Sequence, residues 1–375
     1  KLWDQYRTVM LNALTQGQDK PFLQLLTTPI AAQWDTSDPT QLKRVSNHVP
    51  YWGEYYASSP FKIDEQFCAF LKNIKTDDKV VDRDSKVLAD QFENEIQQLG
   101  SQLTAERAKC TRQFLALATK PDFKDYMNQC LAKSKLQDQI EEKKIMYQFF
   151  TARAYGPEVG DIFDARVDCE TGTEWYEHSG SLAKFRADAR AGHARTLNVT
   201  FDSFTRISYP RSWQQIAGGM KRPSSLNSSF FQFAIQSGTG YLTATEKFNM
   251  QISFKGYGFV RSVPHKWFRH NVIKQFANGP FYNNQQNLFG QNGTLRLKPT
   301  GFYLVYKPTM TLTVARSDVQ KFFGANLKSG GGLFSSSREE VKIDTTNTAA
   351  DTAKITISSN SDDPLIVAID NEVLP

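Results

Sequence analysis

The sequence predicts an α+β protein in which an N-terminal helical region precedes a C-terminal, mainly antiparallel β-sandwich-like domain. Up to about residue 156 the apolar residues recur at helical spacing, whereas beyond it they alternate with a period of two. Gly, Ser, Thr and Asn also become more frequent beyond that point. At 375 residues the chain is too long for one ordinary core. We therefore predict a helical domain over residues 1–156 and a basic, aromatic-rich β domain over residues 157–375.

The strongest helical pattern runs over residues 84–119 and predicts one long helix. Its apolar seam consists of Phe92, Ile96, Leu99, Leu103, Cys110 and Leu117. A second pattern follows Pro121 and extends to Phe150. Two long helices with a short break between them predict an antiparallel pair. The pair would be either the core of an ordinary bundle or an extended hairpin that projects from the body, and the sequence leaves both open.

Shorter helices are expected near the start of the chain and in one place within the β region. They are predicted at 3–16, at 62–75, near 317–323, and after Pro21, where Phe22, Leu23, Leu25 and Leu26 follow. Alternating segments predict strands at 197–204, 248–254, 302–306, 310–314, 341–343, 354–357 and 365–373. Such short strands between Gly, Pro and Asn signals are typical of antiparallel sandwiches.

Charge is distributed very unevenly along the chain. Residues 181–330 hold 20 Lys and Arg against four acidic residues, a net charge of +16, and residues 331–375 carry −5. Since the whole chain carries +6, residues 1–180 carry −5. A basic segment of this strength should attract an anionic partner. That partner would be a membrane surface, a nucleic acid, or the acidic region of another copy. Alternatively, carboxylates from elsewhere in the chain neutralise these cations.

The segment from His265 to His270 concentrates cations and aromatic rings. Our candidate site for an anion or a membrane consists of Arg261, Lys266, Trp267, Phe268, Arg269 and Lys274. Here the rings would enter an interface or stack on bases, while the cations bind anionic groups. In the alternative interpretation, Trp267 and Phe268 anchor the end of a strand in the core.

Nothing in the sequence favours an enzyme or a metal protein. Four carboxylates cluster over residues 161–170, and we interpret them as a solvated acidic turn rather than a metal site. No nucleophile elbow, phosphate-binding loop or dinucleotide motif precedes a helix. We therefore expect no metal and no cofactor. If the chain were an enzyme, its cleft would gather Asp161, Asp164, Asp168 or His178.

The four cysteines, Cys68, Cys110, Cys130 and Cys169, do not have the spacing of a zinc site. They predict either two disulfides or mostly free, buried thiols, and both remain open. The chain begins with Lys1 rather than Met, so we expect that a preceding segment was removed. The compartment is not determined by the sequence, although we favour secretion.

These observations favour a non-enzymatic binding and assembly protein. Its basic, aromatic β domain would engage an anionic surface, in the first place a membrane, and its helices would support packing into a homo-oligomer. A long helical hairpin beside a β body is also the layout of some pore-forming toxins, an analogy of architecture only. The alternatives are a self-assembling or capsid-like protein that contacts nucleic acid, and an enzyme with a cleft between the helical and β parts. No run of about 18 apolar residues predicts a membrane-spanning helix.

Overall fold

The fold is that of a computed structural model, which describes most of the chain. The described residues are 2–32, 41–49, 61–76, 80–205, 236–237, 240–241, 248–277, 288–319, 339–344 and 351–375, without positions 21, 120, 157–158, 180, 291–292, 318 and 360. They form nine helices and an eight-stranded antiparallel sheet, which confirms the predicted α+β class.

The helices are concentrated in the first half of the chain and the strands in the second. The helices are α1 (Leu2–Thr15), α2 (Gln41–Ser46), α3 (Ile63–Asn73), α4 (Arg83–Leu115), α5 (Phe123–Ala132), α6 (Leu136–Tyr155), α7 (Gly160–Thr171), α8 (Leu182–Ala191) and α9 (His270–Phe276). The strands are β1 (Gln24–Ala31), β2 (Trp175–Ser179), β3 (Arg195–Asp202), β4 (Gln236–Ser237), β5 (Gly240–Tyr241), β6 (Asn249–Pro264), β7 (Leu297–Ala315), β8 (Glu339–Asp344), β9 (Thr352–Ser359) and β10 (Leu365–Val373).

Helices α4 and α6 form the predicted long antiparallel pair. The 33 residues of α4 span about 50 Å. The helix begins where the Asp82 carboxylate accepts hydrogen bonds from the first free backbone N–H groups. Along the pair, the ring of Phe92 stacks on that of Phe150 at 5.9 Å. Further along, Lys143 Nζ lies 2.7 Å from a carboxylate oxygen of Glu95. Residue numbers rise along α4 in the direction in which they fall along α6. The two helices therefore run in opposite directions.

The second predicted helix is interrupted, and the far end of the pair is closed by α5. Lys135, with φ 55°, separates α5 from α6. A disulfide between Cys110 and Cys130 joins α5 to α4, and the buried ring of Phe114 packs edge-on against Phe123 at 4.9 Å. Phe114 therefore ends the buried seam, whereas the predicted Leu117 is exposed.

The sheet is built around β6 and β7, which pair in continuous register from Asn249↔Thr313 to Arg261↔Gly301. The first half of β7 pairs with β10, which pairs in turn with β1, and the second half pairs with β9 and through it with β8. On the other side of β6, β3 pairs with its first half and β2 with its last residues. Strands β6 and β7 are each long enough to pair with different strands along their first and second halves.

Both faces of the sheet are covered, and each face has its own core. Phe302 and Leu304 of β7 pack with α3 and α4, whereas Met310 and Leu312 of the same strand pack with α1. Alternation alone would place all four on one face, because side chains two residues apart share a face. Lys307, with φ 42°, lies between the two pairs, and the strand changes faces there. Different parts of β7 therefore contribute the same side-chain parity to the two cores.

Two local predictions were wrong. The helix expected after Pro21 is strand β1, because this segment pairs with β10 and its apolar run is buried on both faces, a pattern that does not separate strand from helix. The acidic segment 161–170 belongs to helix α7 rather than to a solvated turn, since its apolar residues Ile162, Phe163 and Val167 are buried. The predicted helix near 317–323 lies largely outside the described residues.

All four cysteines are paired, so of the two alternatives the disulfides are present. Cys68–Cys169 joins α3 to α7 across 101 positions of sequence, and Cys110–Cys130 closes a separation of only 20. Cross-links that close longer loops restrict the unfolded chain more strongly. The first therefore ties the helices together, and the second clamps the end of the long pair.

We expect Cys110→Ser combined with Cys130→Ser to lower the free energy of unfolding by about 3 kcal/mol. Cys68→Ser combined with Cys169→Ser should cost more, about 4 to 5 kcal/mol, because its loop is longer. Urea unfolding followed by circular dichroism measures both. Unchanged midpoints, or a larger loss for the first pair, would contradict this assignment of the two cross-links.

Candidate functional site

The aromatic residues of the predicted site lie in the core. Trp267 is only 1% exposed, its Nε1–H donates to the carbonyl oxygen of Glu174 at 2.8 Å, and its ring packs edge-on against Phe67 and Trp175. Phe268 is half-buried, with its ring centroid 4.7 Å from that of Phe67. Both rings anchor the turn after β6, which corresponds to the alternative interpretation, and Trp267 offers no face to a ligand in this conformation.

The third central residue, Arg269, is surrounded by carboxylates of α7. Its guanidinium nitrogens lie 3.2 Å from Asp161, 3.5 Å from Asp168 and 3.9 Å from Asp164. Asp168 also receives a hydrogen bond of 2.6 Å from Lys144 of α6. This carboxylate network joins α6 and α7 to the start of α9. Arg269 is therefore occupied within the chain rather than available to an external anion.

Within this network, the charge of Asp164 is not fully compensated. Burial raises the pKa of Asp164, a hydrogen bond from Gln148 and the Arg269 cation oppose the shift only in part, and the neighbouring carboxylates add to it. His178, the fourth residue of the hypothetical enzyme cleft, lies instead on β2 against Tyr176. The structure thus brings Asp161, Asp164 and Asp168 together without His178. Their ion pairs with Lys144 and Arg269 connect α6, α7 and the start of α9.

We expect two neutralising substitutions in this network to have opposite effects. Since folded Asp164 holds its proton more tightly than the unfolded chain does, its ionisation lowers stability as the pH rises through the folded pKa. Asp164→Asn should therefore raise the unfolding free energy near neutral pH. Asp168→Asn should lower it by about 2 kcal/mol, because Lys144 and Arg269 lose a charged partner.

Denaturant unfolding over a series of pH values measures both effects. The gain from Asp164→Asn should disappear below the ordinary aspartate pKa of 3.8, where the carboxyl is neutral in both states. A gain that persists unchanged at that pH, or the same sign for both variants, would contradict the electrostatic account.

The remaining cations of the predicted site are exposed. Arg261, Lys266 and Lys274 form no ion pair with any carboxylate among the described residues. In the second half of β6, Val260 and Ser262 are buried beneath the helices, so Phe259 and Arg261 face the other way. Arg261 therefore lies on the side of the sheet opposite α3 and α4, the side whose core contains Tyr303 and α1; we call this the outer face.

Strand β2 extends this outer face with further aromatic side chains. Trp175 is buried on the helical side, so its neighbour Tyr176 is exposed on the outer side, opposite Val263 of β6. The Tyr176 ring contacts His178 at 6.3 Å and His265 at 5.7 Å. We call this set the outer-face surface, and it consists of Tyr176, His178, Phe259, Arg261 and His265, together with the exposed Lys266 that follows His265 in the turn.

The position of Phe259 depends on a glycine in the neighbouring strand. A Cβ on Gly301 would come within 2.8 Å of the Phe259 ring and of the Val260 carbonyl oxygen, so any larger residue would displace the ring. Phe259 also packs on Tyr303 at 4.8 Å. Burial, assisted by Asp370 and Tyr257, raises the pKa of Tyr303 to about 12, so this phenol is neutral at physiological pH. The ring of Phe259 thus packs on an uncharged tyrosine side chain.

Sequence reasoning missed Tyr176 and Phe259, and it placed His178 in a hypothetical enzyme cleft rather than here. The alternation of β6 continues through Val263, and following it past residue 254 would have placed Phe259 beside Arg261. Strand β2 has only five residues, and its pairing with β6 is not visible in the sequence.

The basic segment 181–330 is neutralised only in part. Of its 20 Lys and Arg, seven lie outside the described residues. Five of the others form ion pairs with carboxylates, and these are Lys184, Arg186, Arg269, Lys298 and Lys307. Exposed cations without an ion pair to a described carboxylate include Arg195, Lys255, Arg261, Lys266 and Lys274. Ion pairs within the chain therefore neutralise some of the excess positive charge of this segment, and other cations of the segment stay exposed.

Comparison with known proteins identifies no relative. No protein-family model matches the chain, and neither a curated protein nor a solved structure is significantly similar to it. Within the described part of the chain, no group of three or more His, Cys, Asp or Glu residues is placed to hold a metal ion. None of the helices seen there combines the length and the apolar character needed to cross a membrane. Any functional assignment must therefore start from the surface itself.

Proposed function

We propose that this chain is a non-enzymatic binding protein that docks on an anionic surface, in the first place a lipid membrane, through the outer-face surface. The observation that carries the proposal is the combination of exposed Tyr176 and Phe259 with Arg261 and Lys266, which have no ion-pair partner among the described carboxylates. Exposed aromatic rings favour the boundary between headgroups and acyl chains. Each cation near an anionic leaflet contributes about 1 kcal/mol.

A membrane is favoured over a nucleic acid by the cysteine chemistry. Stacking rings and phosphate-binding cations would also suit single-stranded nucleic acid. Both disulfides of this chain, however, are of the kind that persists outside the reducing cytosol and nucleus. Nucleic acid is concentrated in those reducing compartments, whereas lipid surfaces border the oxidising ones. The disulfides therefore support the membrane as the partner.

Vesicle sedimentation tests the proposal with one charge-reversed variant and a matched control. The wild type should sediment with vesicles of phosphatidylserine and phosphatidylcholine at about 0.02 M salt and be released at about 0.5 M salt, because added ions screen surface charge. Arg261→Glu combined with Lys266→Glu should weaken binding at least roughly 30-fold, since two attractive cations are lost. Lys133→Glu combined with Lys354→Glu makes the same change in net charge at exposed positions in the turn between α5 and α6 and on β9.

The proposal is tested by comparing the loss of vesicle binding in the two variants. Absence of wild-type sedimentation at low salt would remove the membrane proposal. Equal loss in both variants would show attraction by total charge and remove the outer-face surface as the docking site. Tighter binding to a single-stranded oligonucleotide than to anionic vesicles would replace the membrane by nucleic acid as the ligand.

A further inference from the structure

The outer-face surface contains two of the five histidines of the chain. His178 lies on β2 and His265 lies in the turn after β6, and both side chains are exposed. Their rings meet the Tyr176 ring edge-on, with centroid distances of 6.3 Å for His178 and 5.7 Å for His265. Histidine is the side chain that gains a positive charge as the pH falls from about 8 to about 5. The charge of this surface therefore depends on pH.

The backbone holds both histidines in this position. Trp175 is buried on the helical side of β2, so Tyr176 and the residue two positions on, His178, face the other side. The backbone N–H of His265 donates to the carbonyl oxygen of Glu174 at 2.8 Å and so ties the turn to the start of β2. Strand pairing and this hydrogen bond thus place the two imidazole rings beside Tyr176 and leave them at the surface.

The two carboxylates that closely precede His178 are engaged by other parts of the chain. Glu174 lies 2.7 Å from the guanidinium of Arg107 on α4. A carboxylate oxygen of Glu177 accepts a hydrogen bond of 3.2 Å from the backbone N–H of Leu182, at the start of α8. By alternation along β2, the Glu177 side chain points to the side opposite His178. These contacts direct both acidic groups away from the outer-face surface.

The charges on the neighbouring elements leave this surface positive. Arg261 of β6 and Lys266 of the turn belong to the same surface, and Arg44 lies on α2, which packs against β2. Carboxylates of the surrounding elements contact cations, and these pairs are Asp64 with Lys43, Asp188 with Lys184, Asp370 with Lys20, and Glu372 with Lys298. Any proton that the histidines gain therefore adds to a positive surface.

We infer that docking on an anionic membrane strengthens on acidification, because His178 and His265 gain protons and become two further cations of the outer-face surface. The inference rests on the proposed function and adds its regulation. Arg261 and Lys266 give the surface a formal charge of +2, and protonation of both histidines makes it +4. Each cation near an anionic leaflet strengthens binding by about a factor of five, so two should give roughly 30-fold.

The same coupling acts in the reverse direction. If protonation of the histidines strengthens binding to the membrane, binding to the membrane must strengthen their protonation by the same factor. The chain should therefore take up protons as it binds. A general effect of pH on folding would not produce an uptake that depends on His178 and His265.

Vesicle sedimentation at about pH 7.5 and about pH 5.5 tests the inference on the full chain. The vesicles contain phosphatidylglycerol and phosphatidylcholine, because the phosphodiester of phosphatidylglycerol keeps its negative charge at both pH values. The wild type should bind roughly 30-fold more tightly at the lower pH. The readout is the ratio of the two dissociation constants within each variant, so each variant is its own reference.

Three variants assign the gain to the two histidines. His178→Gln combined with His265→Gln should remove most of the gain, since neither new side chain can be protonated. His178→Arg combined with His265→Arg should bind at about pH 7.5 as tightly as the wild type does at about pH 5.5, because its charges are permanent. His193→Gln is the matched control, since His193 is an exposed histidine that follows α8, and it should keep the wild-type gain.

Calorimetry at about pH 6.5, in two buffers that differ in ionisation enthalpy, measures the proton uptake. The wild type should take up protons on binding the same vesicles, and the arginine pair should not. Circular dichroism at both pH values confirms that each variant is folded.

The outcomes separate this inference from the proposed function. Equal wild-type affinity at the two pH values would overturn the inference and leave the docking proposal in place. A full gain in the glutamine pair, or a gain lost in His193→Gln, would also overturn it, because the pH dependence would then arise elsewhere. Absence of wild-type binding at both pH values would remove the docking proposal and the inference together.

Discussion

The pairing of β6 with β7 is the interaction on which the rest of the β half depends. Every other strand of the large sheet joins one of these two directly or through one neighbour. Their register places Gly301 opposite Arg261, and this leaves room for the ring of Phe259 beside it. A slip of one residue would turn each side chain to the other face of the sheet. It would bury Arg261 and expose Val260, so the burial of apolar side chains on both faces holds the register.

The same pairing decides which residues of the basic, aromatic segment reach solvent. Alternation along β6 sends Arg261 outward, and the turn that follows directs Trp267 inward against Phe67. Arg269 then meets the aspartates of α7, which neutralise it. A segment that looks uniformly basic and aromatic in sequence is thus divided into a core anchor, an internal ion-pair network and an exposed part.

Two surfaces of different chemistry result, one on each part of the molecule. The outer-face surface combines exposed rings with cations that meet no carboxylate of the described residues, which suits an anionic partner. The outer side of α4 and α6 instead carries exposed Ile145 and Phe149 among charges that are largely paired within the chain.

The sequence by itself determined those features that depend on local periodicity. Helical spacing located α4, and alternation at residues 354–357 located β9, because a helix or a strand buried on one face must repeat its apolar side chains at the period of its backbone. The uneven distribution of charge was also visible, since it is a matter of composition.

Only the tertiary structure decided what depends on contacts distant in sequence. Strand β1 forms because β10 is there to pair with it, and Tyr176 joins Arg261 because β2 pairs with β6. Likewise, Arg269 is neutralised by aspartates about a hundred residues earlier in the chain, whereas Arg261 forms no ion pair with a described carboxylate. Local propensity contains no information about such partners, because burial and Coulomb interactions act through space rather than along the chain.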